Sequence, residues 1–249
     1  MNLPLMLDAV AVLPSGIALT LTLTVLSLTA GFLLSVPLAF VRAFGRPSFS
    51  GAALAYTYAV RGTPMLVQLF LIYYGLGQIE AVRASIFWVV LRDPFWCALI
   101  AFSLNSAAHT TEILCRGLQS VPKGAIEAAA SLGLKRFQTA RLVTFPIALR
   151  ISLPAYGNEV VGMIKGSSLA STVTLLEVTG MARQMVSTTF APYEIFIVAG
   201  AIYLLLTSIA VKATQFLERR LSTDRRPAQR ARSRWRPPLP GEGVTTPLP

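Results

Sequence analysis

Between Asp8 and Arg42 the chain carries no Asp, Glu, Lys, Arg or His. A helix needs about 20 apolar residues to cross the hydrocarbon core of a bilayer, and this run is longer than that. The stretch Thr20-Leu21-Thr22-Leu23-Thr24 alternates as a strand would. The charge-free length outweighs that local pattern and predicts a membrane helix. No Lys or Arg precedes the run, as a cleavable signal peptide requires, so it reads as a retained first span. Composition agrees: 54% of the residues are apolar and only 13% charged, about half the charge of a soluble domain. The expectation is an all-α integral membrane protein.

Five spans are predicted. The first runs from Ser15 to Val41, the second from just after Arg61-Gly62-Thr63-Pro64 to Gly77, and the third from Phe95 to Leu114. The fourth, with polar interruptions, covers Leu153 to Leu176, and the fifth Ile195 to Phe216. The apolar stretch Phe49 to Val60 reads as a separate interfacial helix, broken from the second span at Gly62 and Pro64. The loops then assign sides. The first holds Arg42 and Arg46. The third holds Arg116, Lys123, Lys135, Arg136, Arg141 and Arg150. The C-terminal segment holds Arg219, Arg220 and six further arginines. The second loop (Glu80, Arg83, Arg92, Asp93) and the fourth (Arg183, Glu194) are balanced. The positive-inside rule therefore puts the N-terminus outside, in the periplasm, and the third loop and C-terminus in the cytoplasm. The same rule accounts for the net charge of +11 without a nucleic-acid partner. Residues 1–221 are the expected membrane domain. Residues 222–249, rich in Arg and Pro, are expected to be a disordered tail, with attraction to anionic membrane lipid as a further role. Cys97 and Cys115 on one helix would stand roughly 27 Å apart, too far for a disulfide.

The third loop, about residues 116–152, is a charged interruption in an otherwise membrane-grade sequence. Ser120 is placed to cap a helix with Pro122 in its first turn. Ala125 to Leu132 is strongly helix-forming, and Gly133 supplies a left-handed residue to end it. A second short helix is predicted from Lys135 to just before Pro146. Three readings fit two helices meeting at a glycine: an amphipathic hairpin resting on the membrane, a DNA-binding helix-turn-helix, or a knob seated in a groove of a soluble subunit. In the last, Ala128, Ala129 and Ala130 permit close approach and Glu127 pairs with a cation on the partner.

The spacing Glu127-Ala128-Ala129, Gly133, Val143, Phe145-Pro146 resembles the EAA loop of bacterial ABC import permeases, with Val143 and Phe145 in place of the family's Ile and Leu. Arg61-Gly62-Thr63-Pro64-Met65-Leu66-Val67-Gln68 is similar to a segment of the polar amino-acid branch. So are Asn105-Ser106-Ala107-Ala108, Ser120-Val121-Pro122-Lys123-Gly124 and Leu153-Pro154-Ala155-Tyr156-Gly157-Asn158-Glu159-Val160. Gln78-Ile79-Glu80-Ala81-Val82-Arg83 and Ser168-Leu169-Ala170-Ser171 through Thr179-Gly180 resemble the M-type subunits for histidine, for arginine and ornithine, and for opines. The resemblance covers about residues 12 to 221. It implies a type I ABC importer permease fold (MetI-like) with about five transmembrane helices. It further implies an ATP-binding cassette subunit on the EAA loop (Glu127, Ala128, Ala129, Gly133, Pro146), a second permease subunit, identical or homologous, and a periplasmic solute-binding protein. ATP and Mg would be held by the cassette subunit and no cofactor by this chain. The sequence contains no G-x-x-x-x-G-K-[ST] phosphate cradle, so no ATPase activity of its own by that route is expected. The localisation implied is the bacterial inner membrane.

Polar residues within the spans are the candidate substrate pathway, because they are costly at that depth. Asn105, His109 and Glu112 fall on one face of the third span; the alternative is interhelical bonding without substrate contact. The fourth span carries Asn158, Glu159, Lys165 and Ser167 among glycines that would allow local unwinding around a midplane site. A cationic amino acid calls for a carboxylate, with Glu159 the first candidate and Glu112 the second. Lys165 either meets the substrate's carboxylate or neutralises Glu159, though the two lie about 120° apart on a straight helix. Gly166 replaces a polar or acidic residue of some relatives. With one histidine, no metal site is expected. Two other classes compete: a stand-alone secondary transporter or channel, which lacks support from any internal repeat, and a membrane enzyme, which lacks a catalytic constellation.

Overall fold

The computed structural model describes residues 2–221, which are helical and contain no strand. The basic tail expected over 222–249 lies outside the described residues. Helix α1 (Leu3–Val12) passes through a 3-10 turn into the long α2 (Ile17–Phe44). Helix α3 (Pro47–Gly62) ends at the Thr63-Pro64 break, and α4 (Met65–Phe70) continues through a π turn and a 3-10 turn to Gln78. Two single-turn helices, α5 (Glu80–Arg83) and α6 (Trp88–Leu91), lead to α7 (Pro94–Gln119). The Asp93 carboxylate caps α7 by accepting the Phe95 N–H at 2.8 Å. Next come α8 (Lys123–Ser131), α9 (Arg136–Thr139) and α10 (Phe145–Gly166). A 3-10 segment (Ser167–Val173), α11 (Val178–Thr189) and α12 (Pro192–Leu221) complete the fold.

Among the described residues, Leu3–Phe44 and α12 are long and apolar enough to cross a membrane by length and composition, with mean hydropathy 2.1 and 2.2. Helices α7 and α10 are long too, but their polar residues lower their hydropathy, and they lie inside the bundle, α7 packed against both α2 and α10. The expected five membrane segments are present as α2, the α4 run, α7, α10 and α12.

Helix α2 shows why such a chain prefers lipid. Its buried stripe is Thr20, Leu23, Thr24, Ser27, Leu28, Gly31, Ser35 and Ala39, while Leu21, Val25, Leu33 and Leu34 are exposed. Lipid tails are as apolar as leucine, so helices in a membrane associate through small residues that let backbones approach. A Cβ at Gly31 would stand 2.8 Å from the Ser106 Cβ of α7, so the crossing requires glycine. Thr24 turns its hydroxyl back to the Thr20 carbonyl at 2.8 Å. The alternation at Thr20–Thr24 is thus a two-in, two-out helical pattern.

Four local expectations are corrected. Ser120 does not cap the helix of the third loop; it closes α7, its Oγ donating to the Arg116 carbonyl at 2.8 Å, and α8 starts from Pro122 without a side-chain cap. The second loop helix does not stop before Pro146. It runs through a π turn (Ala140–Thr144) straight into α10. Proline lacks an N–H, and the wider turn just before it accommodates that loss. The fourth span accordingly begins at Phe145 rather than Leu153. Its glycines do not unwind it: α10 stays helical through Gly157 and Gly162 to Gly166, and only then narrows to 3-10 geometry.

Candidate functional site: a helix pair at one end of the bundle and a polar seam between spans

On α8 the motif residues divide by burial. Ala129 is buried, whereas Glu127 and Ala128 are exposed. Gly133 adopts φ +77°, a conformation that costs other residues about 1–2 kcal/mol. There the Gly133 N–H donates to the Ala130 carbonyl at 2.9 Å and the Leu134 N–H to the Ala129 carbonyl at 3.2 Å. These two bonds complete a Schellman ending. Helix α9 begins where the Lys135 N–H donates to the Gln138 side-chain oxygen at 2.9 Å. Leu132 and Phe137 flank the bend at 81% and 75% exposure. Pro146 sits in the first turn of α10.

The polar residues of the spans fall into two groups. At the end of the bundle nearest α8, Glu112 carries an ion cluster. Its Oε1 accepts from Arg116 Nε at 2.9 Å, its Oε2 is ion-paired with Arg42 of α2, and Arg61 at the end of α3 stands 3.6 Å from that same oxygen. The Arg42 and Glu112 side chains are only 16% and 14% exposed. Arg61, His109, Glu112 and Arg116 wall a pocket of about 250 Å³ closed on its other side by Ser152 and Ala155 of α10. Nearer mid-span, Asn105 donates to Gln68 Oε1 at 3.0 Å. The Gln68 amide donates to the Val60 carbonyl at 2.7 Å and to Thr63 Oγ1 at 2.8 Å, satisfying acceptors freed by the break between α3 and α4.

Glu159 is half-buried on α10 and has no ion pair among the described residues. Asn158 and Lys165 are exposed, and no Glu159–Lys165 ion pair forms, as a straight helix dictates. Ser167 is buried, its Oγ donating to the Ile164 carbonyl at 2.8 Å. Sequence reasoning missed Arg42 as Glu112's partner, since no local spacing links residues 70 apart. It also gave Glu177 no role. That residue is fully buried and accepts the Thr179 and Gly180 N–H groups at 2.9 and 2.8 Å and the Tyr203 hydroxyl at 2.5 Å.

A helical bundle with lipid-type packing, a polar seam between its spans and a structured loop at one end defines a membrane transport component. The chain belongs to the family described as the binding-protein-dependent transport system inner membrane component, which it matches over residues 27–223. It is 46% identical to the nopaline transport system permease protein of Agrobacterium fabrum, over 88% of this chain and 91% of that one. It is 39% identical to the arginine ABC transporter permease protein of Haemophilus influenzae, over 86% of this chain and 94% of that one. A solved structure described as an amino acid ABC transporter with histidines superposes with a TM-score of 0.78 at 33% identity, covering 88% of this chain and 99% of that chain.

Proposed function

We propose that this chain is the permease subunit of an ATP-driven, binding-protein-dependent importer that moves polar, mainly basic, amino acids or opines across the inner membrane. The observation that carries the reading is the loop around Gly133: its inward residue Ala129 and its Schellman bonds fix the shape, leaving Glu127, Ala128, Leu132 and Phe137 exposed for a partner. The names of the relatives support the substrate class. The partner on the loop is an ATP-binding cassette subunit, which holds ATP and Mg. A second permease, identical or homologous, completes the pore, and a periplasmic solute-binding protein delivers substrate. The charge asymmetry of the loops supports a periplasmic N-terminus and a cytoplasmic C-terminus.

Glu159, a half-buried carboxylate on the seam without an ion pair among the described residues, is the candidate for the substrate's cation. Asn158, Lys165 and Ser167 lie along the same helix or just beyond it, and Glu112 and Asn105 line the seam opposite. Mass spectrometry of the complex purified in mild detergent from native membranes tests the reading. A stoichiometric cassette ATPase with a second permease chain is the expected result. This chain alone, transporting in liposomes without ATP, would make it a stand-alone transporter instead.

A further inference from the structure

Charge in the polar seam is unbalanced in two places, with opposite signs. At the end nearest α8 three guanidinium groups meet one carboxylate. Arg42 and Arg116 each engage one oxygen of Glu112. Arg61 approaches an oxygen already taken, from 3.6 Å, beyond hydrogen-bonding range. Arg61 is therefore the member of the cluster whose donors are not engaged by Glu112. On α10 the imbalance is reversed, because Glu159 is a half-buried carboxylate with no ion pair among the described residues.

One surface joins the two. Arg61 and Glu112 wall the pocket there on one side and Ala155 on the other. Glu159 is one helical turn beyond Ala155 on the same face of α10. Arg61 reaches that pocket from the end of α3. Its backbone is held in place, since α3 ends one residue later and Gln68 ties that end down. A pocket of about 250 Å³ is slightly below the ~300 Å³ at which drug-sized sites begin, which suits a small solute.

We propose that Arg61 receives the α-carboxylate of the transported amino acid while Glu159 holds its cationic group, so the seam reads both charged ends of one molecule. The inference rests on the permease reading above. Guanidinium is suited to this role because its fork meets a carboxylate with two parallel hydrogen bonds, which an ammonium does not reproduce.

The test is equilibrium binding of radiolabelled arginine to the assembled permease–ATPase complex without binding protein, with agmatine, its decarboxylated analogue, as competitor. Wild type should prefer arginine to agmatine by about tenfold or more, the worth of a charge-assisted pair. Arg61→Gln should weaken arginine by a similar factor, leave agmatine nearly unchanged and so erase the preference. Arg61→Lys should fall between. A structural role for Arg61 would weaken both ligands together. Equal wild-type affinity for arginine and agmatine, or a wild-type preference persisting in an Arg61→Gln or Arg61→Lys complex that assembles normally, overturns the proposal and leaves the permease reading intact. Failure of the wild-type complex to bind arginine, histidine or an opine at all overturns the substrate reading, and this inference with it.

Discussion

The two ends of the bundle each bury a carboxylate and fasten it by different means. Near the start of α11, Glu177 is held by two backbone N–H groups and a tyrosine hydroxyl, all neutral donors. At the other end Glu112 is held by arginines from α2 and from its own helix. The backbone donors make Glu177 the cap of α11, and the Tyr203 hydroxyl ties that cap to α12. Charged side chains on separate helices make a clasp that another anion or cation can enter. The expectation is rigidity at the Glu177 end and exchange at the Glu112 end.

The largest effect should come from Glu112→Gln. It leaves Arg42 mostly buried without its counter-charge, at a cost of about 3–5 kcal/mol, read as a fall in thermal stability in mild detergent. Glu177→Gln keeps the shape and one acceptor, so a smaller loss of about 1–3 kcal/mol is expected. Raised salt should slightly weaken the wild-type Glu112 end through its exposed Arg116, barely touch the mostly buried Arg42 pair and leave the Glu177 end unchanged; equal salt response at both ends would break the comparison. Gly133→Ala should strain the loop by about 1–2 kcal/mol. The protein should stay in the membrane yet lose ATPase copurification, whereas Glu127→Lys should leave stability untouched and abolish coupled uptake. The smallest stability effect, under about 1 kcal/mol, is expected at Glu159, where no ion partner is lost. There uptake is the readout: Glu159→Asp should keep part of it and Glu159→Gln should lose basic substrates, and identical behaviour of the two would sink the assignment.

Much of the fold was legible because membrane burial acts through long, additive signals. The charge-free run announced α2, the Gly62–Pro64 break separated α3 from α4, and Gly133 marked the end of α8. The failures were local contests that sequence spacing does not decide. Ser120 could close the helix behind it or open the one ahead, and the Arg116 carbonyl won it. Pro146 looked like a stop, but a π turn absorbed its missing N–H. The glycines of α10 permit unwinding without compelling it, since helical bonding is the cheapest way to satisfy a backbone in lipid. In the candidate site Glu159 and Glu112 were visible as charges out of place, but their different surroundings were not. Arg42 and Glu112 are brought together only by the α2–α7 crossing, which depends on Gly31 having no side chain.

The π turn before Pro146 has one more consequence. Because α9 runs through it into α10 without a loop, residues 136 to 166 form a single rod about 45 Å long. A flexible joint at Pro146 would let the loop shift while the span stood still. Here the rod has no loop at Pro146, and its softer points are the wider turn at 140–144 and Pro154 inside α10. A sideways force on Phe137 therefore arrives at the far half of the rod as tilt or rotation, and Glu159 turns with it.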